Sequence, residues 1–441
     1  MTSRRTWSRD ERLALTAVVV AGVLIRLVLL PTDGLRGDID QFVGWVHAVA
    51  VSGLATLYNG TPVGPVAFGP VMAYVWAVLA AIQPAFATVT DSADPGIRAL
   101  MKLPASLADL GLAAIVVFAL RDRPRWAVIG AAAILLHPAV IYLSAWWGQY
   151  ESIFLLAGLG AVVAAINGRN GLAAVLVAAA LMTKPQAVAF IVPFAAWFWG
   201  SGYATAGARG GVIALGRAAV IGLATLVVLW LPFLAAAGPI RYIEGLGMYQ
   251  TDVFRILSLN AWNAWWLLQE AAGGHFLADD TAVLGPLAPR HLGYLATALL
   301  SAVVAVAIVR TPRAPVLILG VTASVMVVFT FMTQMHERYA YAALIIPVLL
   351  LWHRPTRWWW LAFSVVFFLN LVAAAPPSPQ IEALVPVVGP LGVAGALAMT
   401  GLCIWSVILT RRASLAGPEP EPAPEPHPSP GVQGVAEAPG R

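Results

Sequence analysis

The sequence predicts an all-α protein that crosses a membrane many times. Three observations carry that expectation. Of 441 residues, 60% are hydrophobic and only 11% are charged, against about 25% charged in soluble domains. The mean hydropathy is +0.81. Apolar runs long enough to approach the ~20 residues of a membrane span recur along the chain, separated by short loops where arginines gather. The net charge of +5 sits in those loops, so it is no argument for nucleic acid, and no nucleic-acid partner is expected. The single cysteine, Cys403, lies inside an apolar run; it excludes an intrachain disulfide and leaves the redox compartment open.

Along the chain, residues 1–11 ("MTSRRTWSRDE") read as a cytoplasmic N-terminus. The run that follows contains Arg26 and lacks a small-x-small cleavage site, which favours an uncleaved first span over a signal peptide. Thirteen runs follow one another, roughly 12–31, 64–88, 99–120, 126–143, 152–166, 171–184, 187–200, 211–236, 292–309, 315–333, 339–353, 356–375 and 388–410. If all thirteen crossed, "RDRPR" (121–125) and every later basic loop would fall outside, against the positive-inside bias. If 64–88 instead dips into the membrane or lies at its outer interface, the basic groups fall inside: Arg121, Arg123, Arg125, Arg169, Arg209, Arg217, Arg310, Arg313, Arg354, Arg357, Arg411 and Arg412. The expectation is therefore about 12 spans within a transmembrane part covering 12–410, both termini inside, with two long outer loops at 32–98 and 237–291. The aromatic-rich "LSLNAWNAWWLL" (257–268) is expected at the membrane interface. The junction "TKPQ" (183–186), between two short runs, is expected to lie recessed and to line a cavity. The Pro/Glu-rich segment 411–441 reads as a disordered cytoplasmic tail.

Four constellations fall on the outer side: "GDIDQF" (37–42), "HPAVIYLSAWWGQYES" (137–152), "TKPQ", and "QMHERYAY" (334–341). Together they suggest an outward-facing polar cavity over an apolar bundle. An acid, Asp38 or Asp40, would serve there as general base, and Lys184, Arg338 and His336 would hold an anion such as a phosphate. Each has a plainer reading. Asp38-x-x-Gln41 fits a helix capping box, and Asp40, two residues on, cannot face the same way on a helix. Both lysines of the chain, Lys102 and Lys184, fall outside, against the topological bias; they bind an anion or merely snorkel to the headgroups. His336-Glu337-Arg338 also fits an interfacial ion cluster, and the Trp pairs fit interface belts. Asp38, Asp40 and His336 would make a conceivable metal set, but the D-x-D it resembles serves nucleotide-sugars on the cytoplasmic side; no metal and no other cofactor is expected.

The ordered series Gly37-Asp38 and Trp45, "KLPASLADLG" (102–111), "HPAVIYLSAWWGQYES", "KPQA" (184–187) and "MHERYAY" (335–341) resembles the GT-C superfamily of membrane glycosyltransferases that use polyprenyl-phosphate sugars. The likeness is to bacterial mannosyltransferases related to the second GPI mannosyltransferase and to the dolichyl-phosphate-glucose glucosyltransferases of N-glycan assembly. It covers roughly residues 12–345. The resemblance implies a GT-C fold, with a membrane-embedded helix in the first outer loop, and Asp38 as catalytic base. The substrate site is expected among Asp40, Trp45, Lys102, Gln149, Glu151, Lys184, Gln186, His336, Glu337 and Arg338. The implied partners are a polyprenyl-phosphate-linked sugar donor (mannose ahead of glucose or arabinose), a glycan, glycolipid or glycoprotein acceptor, and the lipid bilayer of a cell membrane, with the site on the extracytoplasmic face. One departure stands out: the family opens its embedded helix with Tyr-Pro-Pro, where this chain reads "AFGPVMAY" (67–74) with only Pro70. A flippase or transporter of a lipid-linked sugar is the rival of another class. The absence of internal repeats and the crowding of ionisable groups at one boundary, Arg26 and Asp109 apart, argue against it. A lipid-linked polysaccharide polymerase or ligase differs chiefly in taking a pyrophosphate donor.

Overall fold

The computed structural model describes residues 6–416. The protein is an all-α polytopic membrane protein. Helix α1 (Arg9–Leu29) opens with Ser8 and Glu11 in a reciprocal capping box. Helix α2 (Arg36–Ser52) follows after a short turn, then α3 (Pro70–Ile82), α4 (Pro95–Ala119) and α5 (Pro124–Leu135). Prolines start α3, α4 and α5 at positions where the missing N–H has no helical partner to lose. Every run expected to cross is helical, but seven helices are long and apolar enough to span, or eight if Pro124–Leu135 and Pro138–Trp147, bent by 42°, act as one. The remaining expected runs form shorter or broken helices. Glu151–Ile166 and Asn170–Leu181 are shorter than a full span, and 341–350 is broken into short turns at Pro347. The stretch Pro185–Ala236 counts once although it doubles back. Gly207 at φ +60 makes that reversal, a backbone conformation open to glycine at little cost. Gly202 and Gly210 then meet so closely that a Cβ on the first would come 2.3 Å from the backbone of the second.

Helix α3 is thirteen residues long, about 20 Å at 1.5 Å per residue, and too short to cross. Its Met72, Ala73 and Trp76 are buried against α2, where Phe42, Trp45, Phe68 and Trp76 form one aromatic cluster. The bundle's innermost helix is Ala314–Phe331. Arg26 of α1 and Asp109 of α4 meet inside the bundle at 2.8 Å.

The 257–268 stretch is not an interface belt. Trp262 and Trp266 are buried, Trp262 Nε1 donates to the Val387 carbonyl at 3.0 Å, and Trp265 Nε1 donates to Phe331 at 2.7 Å. The Trp262 and Trp265 indoles anchor the 237–291 loop into the end of the bundle, each N–H donating to a backbone carbonyl there. Just before them, β1 (Ser258–Leu259) pairs in parallel with β2 (Met335–His336), tying that loop to the "MHERYAY" motif. The final helix, Pro390–Leu415, continues past residue 410 through Arg411 and Arg412. The rest of the expected disordered tail, 417–441, lies outside the described residues.

Candidate active site

Asp38 is the third residue of α2, whose N-cap is Leu35. The capping box is not formed: no side chain caps this helix, and Gln41 Nε2 turns instead to the Val63 carbonyl at 3.3 Å. The Asp38 carboxylate accepts from Trp147 Nε1 at 2.9 Å and Gln149 Nε2 at 2.5 Å. Both donors land on Oδ2, and no donor among the described residues bonds to Oδ1. The carboxyl group also sits in the first turn of α2, close to the helix's free N–H groups. Trp147 and Gln149 reach Asp38 because Tyr142–Trp147 winds wider than an α-helix and Gly148, at φ +92, reverses the chain between them. Gly148 also leaves room for Ile39, whose Cγ1 would lie 3.1 Å from an added Cβ.

Two cations stand in the same cavity. Lys184 is buried and ion-paired with Glu151. Arg338 Nη1 donates to Glu337 at 2.8 Å, its Nε lies 3.5 Å from Glu151, and the guanidinium rests over the rings of Trp147 and Tyr339. Burial opposes charge on both members of the Arg338–Glu337 pair, and their attraction outweighs it. With Asp38 and Glu151 adding to Glu337, the Arg338 pKa is pushed above the ordinary arginine range. With His336 adding to Arg338, the Glu337 carboxyl is held down at about 2. His336 goes the other way. Burial, then the neighbouring Arg338, lowers its pKa below 6.5, so the ring is neutral near pH 7 and is not one of the expected cations.

The cavity encloses about 550 Å³. Asp38, Gln149, Lys184, Gln186, His336 and Arg338 line it, with Trp45, Phe42, Phe68, Tyr249, Phe254 and Tyr339 as aromatic walls. Val188, Val325, Val328 and Met332 give it an apolar flank. The side-chain carbonyls of Gln149 and Gln186 are buried without a partner, which leaves two acceptors at the wall. Trp45 is fully buried and donates from Nε1 to Gly64 at 3.4 Å.

Four expected site residues are not at this wall. Asp40 turns away and accepts from the Ser92 backbone N–H at 2.7 Å and from the Ser92 hydroxyl, fastening α2 to the loop before α4. Lys102 is buried and donates to the Thr32 carbonyl at 2.8 Å and to Leu29 at 3.4 Å; it satisfies carbonyls left over at the C-terminus of α1. Glu151 and Glu337 sit behind the cations rather than in front of them. With Asp40 turned away, Asp38, Asp40 and His336 do not form a metal set, and among the described residues no group of three or more His, Cys, Asp or Glu is placed to hold a metal. Trp147 is the residue bonded to Asp38 that sequence reasoning passed over, because a Trp pair at a membrane boundary has the same composition whether it belts the interface or bonds an acid. Its place beside Gly148 and Gln149 was the available signal.

No family model matches the chain, and no curated protein matches it. Among solved structures, the chain is similar to ArnT from Cupriavidus metallidurans, crystallised bound to undecaprenyl phosphate. The TM-score is 0.49 at 13% identity, over 91% of this chain and 77% of that one. At that similarity, a functional reading rests on the cavity's own residues.

Proposed function

We propose that this protein is an inverting glycosyltransferase of the GT-C type, moving a hexose from a polyprenyl-phosphate donor to an acceptor hydroxyl on the extracytoplasmic face. The observation that carries it is the placing of Asp38, with one carboxylate oxygen unengaged, in the same cavity as Lys184 and Arg338. Asp38 Oδ1 takes the proton of the acceptor hydroxyl. The acceptor oxygen attacks the anomeric carbon, the bond from that carbon to the phosphate oxygen breaks, and its electron pair stays on the phosphate. The lipid phosphate gains a negative charge as it leaves, and the Lys184 and Arg338 donors are fixed in place to meet it. Glu151 and Glu337 hold those donors in position and balance their charge, so the clamp gives directed hydrogen bonds without a large surplus of positive charge that would retain the product. The free carbonyls of Gln149 and Gln186 suit sugar hydroxyls, and the apolar flank suits a lipid chain. The resemblance of the motif series to mannosyltransferases makes mannose the sugar to test first. The basic loops at the opposite boundary support an outward site.

The test is incubation of purified protein with radiolabelled polyprenyl-phosphate mannose, and with the glucose donor in parallel, alongside an Asp38→Asn control. Label should leave the lipid for an acceptor only with the wild-type chain. Label retained on both lipids, or transfer by Asp38→Asn at the wild-type rate, would overturn the reading.

A further inference from the structure

The Arg26–Asp109 pair is buried among apolar helices, with side chains 3% and 0% exposed. Two charges in such a place are costly, and well-packed apolar residues of similar volume commonly serve stability as well or better. What Asp109 does with its oxygens is therefore informative. Oδ2 accepts from Arg26 Nε at 3.0 Å and from Arg26 Nη2 at 2.8 Å, and lies 2.6 Å from Ser144 Oγ, whose one proton it shares with the Val140 carbonyl at 2.8 Å. Oδ1 accepts from Ser152 Oγ at 2.5 Å. Ser144 and Ser152 bracket the segment 145–151, which supplies Trp147 and Gln149 to Asp38 and Glu151 to Lys184 and Arg338. Since the Ser152 proton is given to Asp109, the Tyr341 hydroxyl 3.0 Å away donates to Ser152. Tyr341 stands three residues after Arg338. Arg26 Nη1 donates to the carbonyls of Gly22 and Leu135, which fixes the guanidinium against α1 and α5.

We infer that Asp109, locked by Arg26, is a positioning residue: its two oxygens pin both ends of the segment that aims the base's hydrogen-bond donors and the carboxylate behind the cations. It lies outside the cavity lining and acts only through Ser144 and Ser152. The inference rests on the glycosyl-transfer reading for its effect on rate, but its geometry can be read without activity.

Asp109→Asn leaves a buried arginine uncompensated and is a poor probe, because loss of fold is an expected result. The Ser144→Ala/Ser152→Ala double variant keeps the ion pair and removes both pins. In the full chain in nanodiscs, kcat per folded protein should fall roughly ten-fold or more, while the KM for polyprenyl-phosphate mannose stays within about two-fold. The 15N-indole N–H resonance of Trp147, identified by its absence in Trp147→Phe, should move as its bond to Asp38 loosens. Ser106→Ala is the control, one turn earlier on α4, buried and with its hydroxyl unpartnered; it should change neither. An unmoved indole resonance in the double variant overturns the inference, as does a kcat within two-fold of the wild type. If the wild-type chain transfers none of the sugars offered, the glycosyl-transfer reading fails, and the indole resonance still decides the positioning claim.

Discussion

Trp147 and Asp38, 109 positions apart in sequence, meet through an indole N–H···carboxylate bond of 2.9 Å. With the Gln149 bond to the same oxygen, this leaves Asp38 one fixed oxygen and one unengaged. In the proposed reaction, this arrangement would orient the base before any substrate arrives.

Asp38→Asn should keep its fold, because the Asn carbonyl still accepts from Trp147 and Gln149, yet lose about 10²–10⁴-fold in transfer rate. Single-turnover release of label from the donor lipid, with thermal unfolding measured on the same preparation, checks both halves.

Trp147→Phe removes the donor but keeps a ring beneath Arg338. The rate should fall by roughly ten-fold, about the 1.4 kcal/mol of a single charge-assisted bond, with donor KM little changed. A rate equal to wild type would mean that the bond does not orient the base.

Asp40 is expected to matter for stability only. Ser92→Ala removes one hydrogen bond to it and should cost on the order of 1 kcal/mol, while kcat of the folded protein stays at the wild-type value. A selective loss of kcat in Ser92→Ala would return Asp40 to the active site.

Glu151→Gln leaves Lys184 buried with its ion pair broken and should destabilise by about 3–5 kcal/mol. Adding Lys184→Met removes both charges together and should restore much of that loss, while transfer stays impaired because the phosphate clamp has lost a donor. A double-mutant cycle in thermal unfolding, read beside activity, separates the two effects.

Acid should destabilise the fold in two stages. The lowered pKa of His336 means the unfolded chain takes up a proton that the folded chain resists, so this contribution is complete above about 6.5 and is lost as pH falls below it. Glu337, held at about 2 against an ordinary 4.5, contributes fully above 4.5 and loses that contribution as pH falls toward 2. Unfolding midpoints measured from pH 8 to 4 should show the first stage in wild type and its loss in His336→Gln. An identical pH dependence in the variant would show that His336 does not titrate with folding.

The fold class and the helical runs were legible because lipid imposes length and apolarity on every span. The preference for Asp38 over Asp40 came from the family resemblance, and its place in the first turn of a helix was legible from the sequence. The uses of the other charges were not. Lys102 and Lys184 share a residue type and a boundary, but one meets helix-end carbonyls and the other a cavity, and only the packing of α1 against α4 separates them. Asp40 could be excluded from Asp38's direction by helical spacing, but Ser92 as its partner comes from a loop 52 residues away. The charge of His336 depends on burial and on Arg338, neither of which a sequence states. Hydropathy alone did not register that Glu151–Ile166 and Asn170–Leu181 are short helices with much of their surface buried.

The Arg26–Asp109 pair also has a history in time. The partners are 83 positions apart, and at roughly 5–20 residues per second of synthesis the arginine waits on the order of ten seconds for its acid to exist. During that interval α1 carries an uncompensated cation in its last turn. Helix α1 is made before its counter-ion exists, so its final seating belongs to the assembly of α1, α4 and α5 together.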